Sequence, residues 1–396
     1  MGTGVTAPAG FRAAAVAAGM KAGREDLALV VADVAGPAAG VFTSNLAQAA
    51  PVVLSRERLA RGRARAIVVN AGCANAGTGP AGLADARETA AIAGSALGCA
   101  PEEVVVASTG VIGVRLPMEK LRAGILSAVP RLSPDGGGAA ARAILTTDTR
   151  PKEVAVSFRA SGRTCTVGGT AKGAGMLAPN LATMLAFFTT DASVSAPLLR
   201  EALLAAVGDS LNRITVDGDT STNDCAVILA SGAADAPAVG REPQALVAFR
   251  TALAEAAGRL AEMLVRDGEG ATKVARVLVE GARTAQEADR IARTVAESPL
   301  VKTALHGGDP NWGRVLAAVG RAGVSVDLDR VSIWIGDVHV AEAGAARGYE
   351  EAQAALAMRE DPVRLRVRLS EGSASGWLWT SDLSAGYVDI NSHYRS

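Results

Sequence analysis

A threonine near the middle of the chain, Thr183, follows a run of small and flexible residues. Residues 169–186 read GTAKGAGMLAPNLATMLA. A threonine hydroxyl is a poor nucleophile unless a base is held beside it. One solution uses the threonine's own α-amine, which requires a cut in the chain just before it. Small neighbours such as Ala182 would let the backbone bend so that the hydroxyl reaches the preceding carbonyl. The spacing alone favours another interpretation, a glycine loop that leads into a buried strand or helix.

Three further segments carry side chains that could act with such a nucleophile. Residues 108–113, STGVIG, follow an apolar strand, and backbone N–H groups in such a turn, with the Thr109 hydroxyl, can point at a developing oxyanion. Residues 266–273, RDGEGATK, form a charged glycine loop that enters a strand. Residues 214–224, ITVDGDTSTND, predict either an acidic, cation-binding turn or a network of Asx and Ser/Thr turns.

Other patterns that often mark chemistry are weaker in this chain. Gly77, Gly79 and Gly82 spell G-x-G-x-x-G, but the motif contains Pro80 and starts well after the preceding strand, so a turn is favoured over a dinucleotide loop. The three histidines are far apart in sequence, so no metal site is predicted. The segment 307–314, GGDPNWGR, is either part of a site or a structural corner.

The amino-acid composition limits which binding partners and which cellular compartment are expected. Forty Lys and Arg residues balance forty Asp and Glu residues, and aromatic residues make up only 3% of the chain. Neither nucleic acid nor an anionic membrane surface is therefore expected as a partner. The four cysteines form no C-x-x-C pair and are expected to be small buried apolar residues. With no signal peptide and no spanning segment recognised, the cytoplasm is the expected compartment.

The elements that must position these residues alternate between strands and helices. Predicted strands cover 27–32, 66–70, 104–107, 154–158, 165–168, 186–190, 274–280, 331–335 and 363–369. Predicted helices cover 81–97, 118–129, 198–207, 244–264 and 285–296, the last followed by a glycine-rich loop. This mixture predicts an α/β or α+β fold. A shift in composition suggests a main domain at 1–280, which includes the 182/183 junction, and a smaller α/β lobe at 281–396.

The motifs together resemble the ornithine acetyltransferase (glutamate N-acetyltransferase) family of arginine biosynthesis, whose members cut themselves between Ala and Thr in this context. The resemblance covers nearly the whole chain, and its specificity comes from the order of the motifs. They are NAGCANA at 70–76, STG at 108–110, TTDT at 146–149, the segments 172–183 and 217–224, DGEG at 267–270, the segment 307–314, and YVDIN at 387–391.

The resemblance implies a role for each matching residue. Thr183 would be the nucleophile, released by cleavage after Ala182, and Thr109 and Gly110 would form the oxyanion hole. The positions that would hold the amino-acid substrate are Thr149, Lys172, Thr183, Glu269, Asn391 and Ser396. The implied fold is the layered α/β (α+β) sandwich of this family and of its aminopeptidase relatives, with the C-terminal tail returning to the active site. The implied assembly is an α2β2 heterotetramer.

The implied reaction moves an acetyl group from N-acetylornithine to glutamate through an ester on Thr183, without a metal or cofactor. One alternative is a bifunctional enzyme that also uses acetyl-CoA as a substrate. Another is an N-terminal-nucleophile amidase or aminopeptidase, which would release the acyl group to water. The tail departs from the family pattern at His393 and Arg395, and Cys225 stands where a threonine is expected. These departures mark either an altered substrate preference or no change in function.

Overall fold

The computed structural model of the chain describes residues 2–178 and 184–393. Within them the chain forms two compact units. The first unit holds the residues up to Asn212 together with Asp219–Leu264, and the second holds Arg213–Gly218 together with the residues from Val265 onward. The boundary expected at residue 280 lies inside a strand of the second unit, Val274–Ala282, so this unit begins earlier than the expected lobe.

Strands and helices alternate along both units. The strands are β1 (Phe11–Val16), β2 (Leu27–Phe42), β3 (Arg63–Cys73), β4 (Val104–Val111), β5 (Lys152–Ala160), β6 (Arg163–Lys172), β7 (Leu185–Thr190), β8 (Ile214–Thr215), β9 (Cys225–Ala230), β10 (Val274–Ala282), β11 (Ser332–Ile335), β12 (Val338–Glu342), β13 (Ala345–Ala346), β14 (Val363–Arg368) and β15 (Ala374–Ser381). The α-helices are α1 (Ala50–Leu59), α2 (Gly79–Leu97), α3 (Met118–Ala128), α4 (Gly137–Ala143), α5 (Ala196–Gly208), α6 (Pro243–Arg266), α7 (Ala285–Ala296), α8 (Pro299–Gly307), α9 (Trp312–Gly320), α10 (Glu351–Ala357) and α11 (Ala385–His393).

The first unit is built on one mixed sheet with the order β4-β3-β2-β9-β7-β6-β5, and β1 pairs with β2. Both faces of this sheet are buried. Along β2, Leu27 and Leu29 belong to one apolar cluster, and Ala28 and Val30 belong to the other. Helices α2 and α3 pack into the first cluster, and α4 packs into the second. Burial on both faces explains why these strands read as continuous apolar runs rather than as alternating patterns.

The second unit has its own sheet, with the order β13-β12-β11-β14-β10-β15-β8. Helix α7 covers it with an apolar stripe that includes Ala288, Ile291 and Val295, at the spacing of one helical face. The helix starts at a capping residue, because the Thr284 side chain accepts a hydrogen bond from the Glu287 N–H. A separate apolar core therefore stabilises this unit.

The layered α+β fold expected from the sequence is confirmed, and every predicted strand and helix overlaps an observed one. The largest difference in length is in β2, which continues ten residues beyond the predicted end at residue 32. Asp33, Gly36 and Pro37 interrupt the apolar pattern there, and the register between β2 and β3 shifts between Val31 and Gly36. The second half of β2 then pairs with β9 instead.

The prediction of a glycine-rich loop after α7 is wrong, because residues 299–307 and 312–320 form helices α8 and α9. The segment 307–314 is the corner between them. Gly308 ends α8 in the left-handed conformation at φ 69°, and the Asn311 side chain caps α9 by accepting from the Arg314 N–H. A structural corner is therefore observed, and the interpretation of this segment as part of a site stays a prediction.

All four cysteines are free, and burial raises the pKa of the Cys73, Cys165 and Cys225 thiols. Among residues 2–178 and 184–393, no helix combines the length and the apolar character that crossing a membrane requires. The same residues contain no group of three or more His, Cys, Asp or Glu side chains that could hold a metal ion.

The close pairing of β3 and β4 generates a prediction about Gly110. This residue has φ +127°, and a Cβ atom added to it would lie 2.3 Å from the Gly72 carbonyl carbon. Gly113 also has a positive φ, +81°, but nothing lies within 4 Å of its added Cβ. Gly113→Ala should therefore cost only about 1–2 kcal/mol of backbone strain. Gly110→Ala should cost about 1–3 kcal/mol more. Equal losses of unfolding free energy in urea titrations would contradict this account.

Candidate active site

Thr109 and Gly110 lie at the end of β4, where this strand runs parallel to β3. Thr109 is opposite Ala71, and Gly110 is opposite Gly72. The carbonyl just before Thr109 is satisfied from another element, because Asn223 Nδ2 donates to Ser108 O at 2.9 Å. Both residues of the expected oxyanion hole are therefore held on a rigid strand end and are only partly buried.

Lys172 is the last residue of β6, and its side chain is 10% exposed. Its Nζ donates to Thr109 Oγ1 at 3.2 Å and to Thr146 Oγ1 at 2.7 Å. An ammonium group can only donate, so the Thr109 hydroxyl accepts from Lys172 and keeps its own hydrogen for another acceptor. The structure thus brings together two residues that are 63 positions apart in sequence and that the sequence assigned to one site.

A buried carboxylate, Asp148, organises the lysines beneath this pair. Asp148 Oδ1 accepts from Lys152 Nζ at 2.7 Å and from the Gly173 N–H at 2.7 Å, and Asp148 Oδ2 lies 3.8 Å from Lys172 Nζ. Burial by itself would raise the pKa of Asp148, but the charges of Lys172 and Lys152 and the donated hydrogen bonds lower that pKa to about 2. Asp148 is therefore ionised at neutral pH.

The turn that follows α4 contains the TTDT motif at 146–149. The sequence does not show which of its side chains contact Lys172. Thr149, the residue expected to bind substrate, is exposed. Thr146 and Asp148, in the same TTDT motif, make the contacts to Lys172. The motif itself was the available signal, but its spacing does not tell which of its side chains point toward Lys172.

The second unit brings together the other two described residues that the resemblance assigns to substrate binding. Asn391 Nδ2, on α11, donates to Glu269 Oε2 at 2.7 Å, and Glu269 is 7% exposed. Gly270 follows in the left-handed conformation, and its carbonyl accepts from Ser384 Oγ at 2.6 Å. A buried carboxylate and an amide are thus held together in the second unit.

Asp382 fixes the chain just after Glu269, and sequence reasoning missed it. Its side chain, which is fully buried, accepts from the N–H groups of Thr272 and Lys273 at 2.8 and 3.0 Å. It also accepts from Thr272 Oγ1 at 2.6 Å and lies 2.8 Å from His306 Nδ1. Burial tends to raise the pKa of Asp382, but these donors lower it overall. Asp382 is therefore a structural anchor for the loop that carries Glu269.

The predicted nucleophile Thr183, its neighbour Ala182 and the tail residue Ser396 lie outside the described residues. The chain on both sides of the cleavage segment is described. Leu177 forms an isolated bridge with Thr220, and Leu185 pairs with Lys172 at the start of β7.

A hydroxyl held beside a buried ammonium on a strand end is suited to stabilising an oxyanion, which is the chemistry that an acyl-transfer enzyme needs. The chain belongs to the ArgJ family, which it matches over residues 12–396.

Individual relatives are similar over their full lengths. The arginine biosynthesis bifunctional protein ArgJ of Symbiobacterium thermophilum is 50% identical over 99% of this chain and 98% of its own. The protein of the same name from Methylococcus capsulatus is 49% identical over 98% and 96%. A crystal structure of arginine biosynthesis bifunctional protein ArgJ from Bacillus halodurans is 41% identical, with a TM-score of 0.51 over 52% of this chain and 98% of that chain.

The contacts of Asp148 predict that the stability of the folded chain depends strongly on this one carboxylate. Asp148→Asn leaves Lys152 and Lys172 buried without their counter-charge and should cost about 3–5 kcal/mol of unfolding free energy. The control is Asp33→Asn, since Asp33 pairs with Arg12 at the surface, with side chains 56% and 44% exposed. That change should cost less than about 1 kcal/mol. Urea titrations at pH 7 measure both.

The lowered pKa of Asp148 also fixes the direction of the pH dependence. Because the folded pKa, about 2, lies below the unfolded value, the contribution of Asp148 is fully present above about pH 4 and is lost as the pH falls toward 2. The stability difference between wild type and Asp148→Asn should therefore narrow between pH 5 and pH 2. A constant difference would contradict the assigned ionisation.

Proposed function

We infer that this chain is an ornithine acetyltransferase of arginine biosynthesis. It transfers the acetyl group of N2-acetyl-L-ornithine to L-glutamate. The observation that carries the chemistry is the 3.2 Å contact from Lys172 Nζ to Thr109 Oγ1, because it leaves the Thr109 hydroxyl hydrogen free to meet an oxyanion. The pathway is supported by the two relatives, about half identical to this chain, that are named arginine biosynthesis bifunctional proteins.

The nucleophile we propose is Thr183, freed by self-cleavage after Ala182. Leu185, two residues further along, is the residue opposite Lys172 in the sheet. In the sequence, the proposed nucleophile thus lies two residues before β7, the strand that pairs with β6. The solved chain from Bacillus halodurans is matched over 98% of its length by 52% of this chain, and a half-length chain is what such a cut produces.

In the first half of the reaction, the Thr183 hydroxyl attacks the acetyl carbonyl of N-acetylornithine. The free α-amine of Thr183 takes the hydroxyl proton, and its ordinary pKa of about 7.7–8.0 makes it a suitable base near neutrality. The Thr109 hydroxyl and the Gly110 N–H stabilise the oxyanion. Collapse of the intermediate breaks the amide bond, and the departing ornithine amine receives the proton. The acetyl group remains as an ester on Thr183.

In the second half, glutamate enters and its amine attacks the ester carbonyl. The amine loses a proton, the ester bond breaks, and Thr183 regains its hydroxyl hydrogen, so the enzyme returns to its starting state. The charge of Lys172 attracts the α-carboxylate that both amino acids share. Glu269 and Asn391 are proposed for the distal ammonium of ornithine, and Thr149 and Ser396 complete the proposed substrate contacts. The cycle needs no cofactor.

The assembly, compartment and second activity are also proposals. An α2β2 heterotetramer in the cytoplasm is the arrangement we propose for the cut chains. Both relatives are named bifunctional, which supports acetyl-CoA as a second acetyl donor for glutamate. An amidase would instead pass the acetyl group to water, so release of free acetate in the presence of glutamate distinguishes it from a transferase.

Self-cleavage should give chains of 182 and 214 residues, which together account for all 396 residues of the sequence. Mass spectrometry of the purified, active protein should find a chain that begins with Thr183-Met184-Leu185. Thr183→Ala should remain uncut and inactive, while Thr183→Ser keeps a hydroxyl and should still cut. An uncut chain in a fully active preparation would exclude the proposed nucleophile.

Initial rates with both substrates should give parallel double-reciprocal lines, because the acetyl ester forms before glutamate binds. Glu269→Gln keeps an oxygen for Asn391 but removes the charge, and a charge-assisted hydrogen bond is worth about 1.5–3 kcal/mol. The KM for N-acetylornithine should therefore rise about 10- to 100-fold. The KM for glutamate, which lacks a distal ammonium, serves as the internal control and should change little.

Intersecting lines, together with no acetyl adduct on the 214-residue chain after incubation with N-acetylornithine, would indicate direct transfer in a ternary complex. Equal rises in both KM values would remove Glu269 from the recognition of ornithine.

A further inference from the structure

The connection between β1 and β2, residues 17–26, is folded around a buried carboxylate. Asp26 is 0% exposed, and its side chain accepts hydrogen bonds from four successive backbone N–H groups, those of Ala18, Gly19, Met20 and Lys21. The Asp26 carbonyl accepts from the Ala71 N–H at 2.8 Å, and Ala71 is the residue opposite Thr109. This connection is therefore a rigid element fastened to the strand beside the proposed oxyanion hole.

Lys21 extends from this connection to the end of α4. Its Nζ donates to Ala143 O at 3.0 Å and to Leu145 O at 2.8 Å. The last carbonyls of a helix have no partner within the helix, and an ammonium there also complements the helix dipole. Arg24, in the same connection, donates to Thr146 O at 3.3 Å. Two cations thus fix where the chain leaves α4.

The chain that leaves α4 carries the residues that hold Lys172. Thr146 follows Leu145 directly, and its Oγ1 accepts from Lys172 Nζ at 2.7 Å. Lys172 Nζ then donates to Thr109 Oγ1 at 3.2 Å. One continuous set of hydrogen bonds and one peptide step therefore connect Lys21 to the proposed oxyanion threonine.

We propose that Lys21 is a positioning residue of the acyl-transfer site, which holds the α4 end and the Thr146 turn so that Lys172 meets the substrate carboxylate and Thr109. This inference rests on the proposed function, since it takes the roles of Lys172 and Thr109 from it. Lys21 itself touches no substrate in this account.

The charged residues of the proposed site also affect the pKa of Lys21. Burial, Arg24 and Lys172 lower the pKa of Lys21, against the opposing effects of Asp26 and Asp148, to about 8. Lys21 and Lys172 therefore belong to one electrostatic neighbourhood, so replacing Lys21 changes both the position and the field of the carboxylate site.

The test uses the purified, self-processed enzyme and the transfer from N-acetylornithine to glutamate. Lys21→Met removes the charge and both hydrogen bonds, and it should lower kcat/KM about 10- to 100-fold. The KM values of both substrates should rise by similar factors, because both present the same α-carboxylate to Lys172. Lys21→Arg keeps a charge and donors and should recover much of the loss. The control is Lys120→Met, since Lys120 Nζ donates to Gly19 O in the same connection at 2.9 Å.

A merely structural role gives a different result. Partial loss of folded enzyme lowers the apparent kcat at unchanged KM, and acetyl-enzyme titration with N-acetylornithine measures the active fraction directly. Unchanged KM values in Lys21→Met, or equal changes in Lys120→Met, overturn the inference. If Lys21→Met does not fold, the KM values of Lys21→Gln are compared with those of Lys21→Arg instead. A wild-type enzyme without transfer activity overturns the proposed function, and this inference with it. If the wild type transfers acetyl groups but Lys21→Met shows unchanged KM values, this inference alone is overturned.

Discussion

The side chain of Asp148 is buried, so water cannot solvate its negative charge. Groups on other elements of the fold must compensate that charge instead. Two lysines and the backbone N–H groups of Thr146 and Gly173 surround this buried carboxylate, and one of the lysines is Lys172. Removing charges from water costs several kcal/mol for each ion, and only good geometry with further hydrogen bonds offsets that cost. The turn after α4, the start of β5 and the end of β6 are therefore held in one arrangement. That arrangement also decides which way Lys172 points.

Asp26 and Asp382 hold irregular segments in the same way as Asp148. Asp26, Asp148 and Asp382 are each buried, and each accepts hydrogen bonds from backbone N–H groups of an irregular segment. Loops lack the internal hydrogen bonds of helices and strands, so their N–H groups need other partners when they are buried. A carboxylate can accept several of them at once. Segments that carry proposed site residues thereby become nearly as fixed as the strands beside them.

Each unit by itself presents polar groups of a kind that the proposed substrates require. The first presents a hydroxyl and an ammonium, in Thr109 and Lys172, and the second presents a carboxylate and an amide, in Glu269 and Asn391. An acetylated ornithine carries a carboxylate at one end and an ammonium at the other, and glutamate shares only the first. In the proposed cycle, a single carboxylate-binding lysine would therefore serve both halves, and the proposed contact of Glu269 would be made by the donor only.

The amino-acid sequence alone determined the main strands and helices and the ordered motifs that contain Thr109, Lys172, Glu269 and Asn391, and the resemblance of those motifs to a known family implied the layered fold. It could do so because periodicity, capping and motif order are local properties of the chain. Only the tertiary structure decided which residues hold those side chains in place. Lys21 meets Ala143 across 122 residues, and Asp382 meets Thr272 across 110. Such bonds join a side chain to a backbone group that any residue type provides, so no local pattern marks the partner, and the packing of the elements selects it.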